Sequence, residues 1–205
     1  MKMHILAAAL IAISGCVVED SNDDSAATSQ PQTTAPATPA PQPPDLRLEV
    51  NLAQRALNVY RGGRVVATHP VAVGSAEWPT PTGEWTIDQV IFNPRWVPPK
   101  EESWAKDEKE AEPGAPDNPL GVVQLVYAAP NSIHGTNEPE SLGKAVSHGS
   151  IRIQNEVGVE LAKQVMQAGG AGKDDAWVQQ ALAAKTTRQE VVIPNPIPIR
   201  VIKGD

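Results

Sequence analysis

Two short stretches concentrate the residues able to do chemistry: Ile133-His134-Gly135-Thr136 and the turn Ser147-His148-Gly149-Ser150. His134 and Ser150 stand 16 positions apart, with Leu142-Gly143 between them. A histidine and a serine that meet in space can carry acyl transfer. An alcohol does not ionise before its substrate arrives. A Ser–His pair must therefore move its proton during attack and depend on an oriented base and strong oxyanion donors. Gly149 gives the turn the backbone freedom to bring such groups close. Other chemistries find no support. The four histidines, at 4, 69, 134 and 148, are too scattered for a ligand cluster, and no glycine loop of nucleotide-binding type precedes a helix. No metal or other cofactor is called for. A formal charge of -7 and a pI near 5.1 give no basic patch for nucleic acid.

The single cysteine excludes an internal disulfide framework, and its neighbours explain it. Lys2 is followed by an apolar run, Ile5 to Ile13, too short to cross a bilayer as a helix. The run ends in Ile13-Ser14-Gly15-Cys16, which looks like a bacterial lipobox. Residues 1–15 are expected to be a lipoprotein signal peptide and Cys16 the lipidated residue that attaches the chain to a membrane, since more than one acyl chain gives stable anchoring. Val17 follows the cysteine where an aspartate would mark retention at an inner membrane. In an organism with two membranes the resemblance to sorted lipoproteins favours the outer one, with the inner one left open. Residues 17–44, first acidic and then rich in Pro, Thr, Ala and Gln, cannot bury enough apolar area to fold. Such a tether reaches roughly 30 Å as a coil and up to about 85 Å as extended polyproline. That suits work in the cell envelope near the membrane but off it, with peptidoglycan the obvious material.

The elements that must position His134 and Ser150 lie in one domain, residues 45–202. Leu46 to Leu52 alternates apolar and polar residues, the period of a half-buried strand. Arg55 to Tyr60 and Arg64 to Thr68 read as strands around the Gly62-Gly63 turn. Pro70 to Val73, Gly83 to Ile91, Leu120 to Tyr127 and Ser150 to Ile153 are further extended segments, with His134 expected on a loop between the last two. Helical spacing is clear in Glu156 to Met166, with Asn155 expected as N-cap and Gly169-Gly170 as the stop, and a shorter helix is expected over Asp174 to Ala184. Val191 to Ile202, with its alternate prolines, reads as a strand at a sheet edge. The expected class is mainly β, a sandwich or mixed sheet, with one packed α-helix. Residues 93–119 break this pattern with a Pro-rich start and a charged run. Trp96 and Trp104 near that start make the segment a lid candidate, because large aromatics on a long loop need something to cover.

Four motifs in order, Pro79-Thr80-Pro81-Thr82-Gly83-Glu84-Trp85, Asn93-Pro94-Arg95-Trp96-Val97-Pro98-Pro99, Ile133-His134-Gly135-Thr136 and Ser147-His148-Gly149-Ser150-Ile151-Arg152-Ile153, together resemble the L,D-transpeptidase (YkuD-type) catalytic domain over residues 46–202. The resemblance implies that His134 is the general base and later the general acid, oriented by the carbonyl of Gly135. It implies an oxyanion hole from backbone N–H groups around 148–150 and a supporting role for Ser147, His148 and Arg152. It further implies acyl transfer on the stem peptides of peptidoglycan. The departure is Ser150, where the family carries a nucleophilic cysteine. A thiol, with a pKa near 8.5, can ionise beside a histidine beforehand. An alcohol cannot. The residues therefore leave two readings open: a serine acyl-transfer enzyme of the wall, with cross-linking, carboxypeptidase or amidase outcomes, or a weak or inactive peptidoglycan-binding lipoprotein.

Overall fold

The computed structural model describes residues 45–204; the expected signal peptide, Cys16 and the tether lie outside the described residues. In β1 (Leu46–Asn51) the even positions Leu46, Leu48 and Val50 are fully buried and the odd ones are partly exposed, so the sequence period of two is the burial period. β1 pairs antiparallel with β2 (Ala56–Arg61), which returns through Gly62-Gly63 into β3 (Arg64–Pro70). β5 (Gly83–Phe92), β6 (Val123–Ala128), β7 (Asn131–His134), β9 (Ile151–Arg152) and β10 (Gln189–Ile202) complete an eight-stranded mixed sheet in the order β3-β2-β1-β10-β5-β6-β7-β9. β4 (Val73–Gly74) and β8 (Ala145–Ser147) form a separate short parallel ladder.

α1 (Asn155–Ala168) buries Leu161, Ala162, Val165 and Met166 in the same apolar cluster as Leu48, Val50, Val123, Leu125 and Ile133. α2 (Asp175–Ala183) also packs, through Val178 and Ala181, and Asp174 caps it by accepting the Trp177 N–H at 2.8 Å. The domain is therefore mainly β with two packed helices where the class had expected one.

Three expectations need correction. β10 is not an edge strand: it lies in the middle of the sheet, parallel to β1 and antiparallel to β5. Its prolines suggested an edge because proline lacks a ladder donor, but the pairing with β5 shifts register between Val192 and Ile197, and Pro194 and Pro196 fall within that gap. His134 is not on a loop but ends a strand, β7, hydrogen-bonded on both sides. The N-cap of α1 is Gln154, and Asn155 is its first helical residue. The Asn155 side chain is engaged elsewhere, as described below.

Candidate active site

Strand alternation builds the site. On β7 residues 132 and 134 share a face, and the parallel register sets His134 opposite Arg152 of β9. Ser150 stands two residues before Arg152, just ahead of β9. On the other side of β7, Gln124 of β6 is paired with His134. Gln124, Ser132, His134, Ser150 and Arg152 all line one cavity of about 600 Å³. Ser147, His148, Gly149, Trp96 and Trp104 line it as well. Gly135 lies behind it.

His134 is 5% exposed. Its Nδ1 lies 2.7 Å from the Gly135 carbonyl oxygen, an acceptor only, so the ring proton sits on Nδ1 and Nε2 is left as the base. Burial pushes its pKa down to about 4; the Gly135 carbonyl opposes this and the Arg152 charge adds to it. The imidazole is thus neutral at ordinary pH, and any imidazolium formed during a reaction is a strong acid.

The backbone next to Gly135 is held by Asn155. Asn155 Nδ2 donates to Thr136 O at 3.0 Å, and Asn155 Oδ1 accepts the Val122 N–H at 3.1 Å. The amide fits because Gly135 and Gly121 lack side chains: a Cβ at either would sit 2.0 Å and 2.2 Å from Asn155 Oδ1. Asn155 is the main residue that sequence reasoning misassigned. Its role depends on three segments meeting, and no local pattern encodes that.

In the turn, Ser147 Oγ donates to the Ser150 carbonyl at 2.5 Å and accepts the Gly149 N–H at 3.3 Å. The Gly149 N–H is therefore occupied by Ser147 and not free for an oxyanion in this state. Gly149 has φ +103°, and a Cβ there would lie 2.8 Å from Asn131 Oδ1. The Ser150 hydroxyl accepts the Ser132 N–H at 3.2 Å; its partner is that amide, not the imidazole. Arg152 is paired with Glu138.

The lid is ordered by specific ties. Asn93, at φ +50°, donates through Nδ2 to Ala181 O at 2.7 Å, close to the end of α2. Asn118 Nδ2 donates to Pro94 O at 2.7 Å and to Glu112 O at 3.1 Å. Trp96 and Ala111 exchange backbone hydrogen bonds of 2.9 and 3.0 Å, and Lys100 Nζ donates to the carbonyls of Ala105, Lys106 and Glu108. The charged run Lys106–Glu110 is exposed, although Glu110 pairs with Arg95. Trp104 stacks on His148, and Trp78, another residue the sequence reading had not singled out, meets the same imidazole edge-on at 4.6 Å.

A neutral, oriented imidazole and a serine hydroxyl beside one cavity are the parts of an acyl-transfer site. The comparisons agree in family. A family model for the YkuD L,D-transpeptidase catalytic domain matches residues 45–193, and the chain belongs to that family. It is 38% identical over 120 residues to the L,D-transpeptidase-family protein YkuD of Bacillus licheniformis, covering 58% of this chain and 59% of that protein. It is 34% identical over 131 residues to YqjB of Bacillus subtilis, covering 61% and 69%. The chain thus spans less than two thirds of the first relative. Among solved structures, the Ldtfm–avibactam carbamoyl enzyme has a TM-score of 0.52 at 17% identity over 78% of this chain and 50% of that one, a likeness of fold.

Proposed function

We propose that the protein performs serine-based acyl transfer on peptidoglycan stem peptides from a membrane anchor at Cys16. The observation that supports this reading is that His134 and Ser150 line one cavity, with the His134 Nδ1 proton already committed to Gly135. Ser150 Oγ attacks the carbonyl of the donor stem and its proton passes to His134. The terminal residue leaves as an amine and takes that proton. The acyl-ester is then resolved by an amine of a neighbouring stem, or by water. Arg152, paired with Glu138 in the free protein, exchanges that partner for a substrate carboxylate. Trp96 and Trp104 cover the bound peptide. The lipobox and the Pro-rich tether support a lipoprotein of the cell envelope whose domain reaches the wall.

A second reading has one observation in its favour. The Ser150 hydroxyl rests on a backbone amide instead of on His134, as expected of a wall-binding protein with a disarmed site. Incubation with stem tetrapeptides separates the two. Turnover that disappears in Ser150→Ala, with an acyl adduct on Ser150 by intact mass, is the enzyme result. Turnover equal in Ser150→Ala, or none at all alongside binding to isolated sacculi, sinks the enzyme reading.

A further inference from the structure

The β7–β9 ladder begins with Ile133 opposite Ile151. One step earlier on β7, the Ser132 N–H meets a side chain: it donates to Ser150 Oγ at 3.2 Å. Ser132 is 1% exposed, and its own hydroxyl accepts from Gln124 Nε2 at 3.1 Å, which ties this point of β7 to β6. The oxygen of Ser150 therefore has a fixed donor before any substrate arrives. A donor speeds a step only where its bond strengthens between ground state and transition state. In acylation the gain is small, because the free hydroxyl already accepts this bond. In an acyl-ester the same oxygen is a poor acceptor, and it gains charge as the C–Oγ bond breaks.

We propose that the backbone N–H of Ser132, held in place by Gln124, is the catalytic donor that stabilises the departing Ser150 oxygen when the acyl-ester is resolved; this rests on the serine acyl-transfer reading above. An incoming amine attacks the ester carbonyl and gives a proton to Nε2 of His134. The tetrahedral intermediate collapses, the C–Oγ electron pair returns to Oγ, and His134 delivers the proton there. An amide forms and the serine is regenerated. An alkoxide leaves far less readily than a thiolate, so a serine at this position needs help at this atom where a cysteine would not. Gln124 is a positioning residue, acting through the Ser132 side chain.

The test uses the full chain with the Ser132 N–H replaced by oxygen, by incorporating the α-hydroxy acid at that position. A stem tetrapeptide ending in D-alanine is the substrate, and intact mass follows the Ser150 adduct with time. Adduct formation should slow by less than about threefold and its breakdown by about tenfold, the scale of a hydrogen bond to a charged atom, so the adduct accumulates. Gln124→Leu, which keeps every backbone bond, should show the same split at about threefold in breakdown with KM unchanged. Breakdown at the native rate in both variants, or formation and breakdown slowed equally, overturns the Ser132 role and leaves the serine mechanism standing. No adduct on unaltered Ser150 overturns both.

Discussion

Trp104 lies flat against His148, ring centroids 3.9 Å apart and planes 7° from parallel. One residue belongs to the long 93–119 segment and the other to the turn that carries Ser150, so the stack is a physical connection between the two. Trp78 meets the same imidazole edge-on.

Trp104→Ala should release the lid without unfolding the domain. A stacked aromatic pair contributes about 0.5–1.5 kcal/mol, so the open form should gain roughly fivefold in population. Limited trypsin digestion gives the readout, with cleavage after Lys106 and Lys109 several times faster than in the native chain. An unchanged cleavage rate would mean that the other ties of the segment hold it without the stack.

The stability of the domain should fall in acid through His134. Its pKa is about 4 in the fold and about 6.5 in an unfolded chain. Between these values the unfolded chain binds a proton that the native state refuses, so stability rises with pH. The contribution is fully present above pH 6.5 and is lost as pH falls through 4, up to about 3 kcal/mol. Urea unfolding at pH 7 and pH 4.5 should show a steeper loss in the native protein than in His134→Gln.

Asn155→Ala would leave the Val122 N–H and the Thr136 carbonyl without this partner, and it would loosen the backbone next to Gly135, whose carbonyl faces His134 Nδ1. The expected cost is about 2 kcal/mol, since each orphaned group costs about 1–3 when buried and this site is only partly so. The urea midpoint should drop at constant slope, and kcat on stem peptides should drop with it.

Tyr127→Phe should be harmless. The Tyr127 hydroxyl is buried without a hydrogen-bond partner, and burial raises its pKa. Removing it takes away an unsatisfied group, so thermal unfolding should stay level or rise, by about 1 kcal/mol at most. A clear loss of stability would reveal a hidden partner, such as a bound water.

Much of this was legible before any coordinates. The alternation in Leu46–Asn51 gives a strand face directly, and the His134 and Ser150 motifs name residues that share one cavity. What escaped depends on contacts distant in sequence. Asn155 has the residue type and place of an N-cap, yet its amide is drawn to Thr136 and Val122 because two glycines leave room for it. Ser132 carries its function in a backbone N–H, which side-chain chemistry does not advertise. β7 is four residues long and mixed in polarity, too short for periodicity to distinguish it from a loop. Two of the three prolines of β10, Pro194 and Pro196, sit in a register shift while Pro198 is paired with Thr86, so the donor rule pointed to the wrong place in the sheet.

That central place of β10 joins the two ends of the chain within one sheet. Leu48 finds its neighbour Ile199 some hundred and fifty residues later, and β3, β2 and β1 join the rest of the sheet only through that last strand. Hydrogen bonds of the sheet reach from β1 to β5 only by way of β10. The strand is the keystone of the ladder: taken out, it would leave two unpaired edges facing one another across the core.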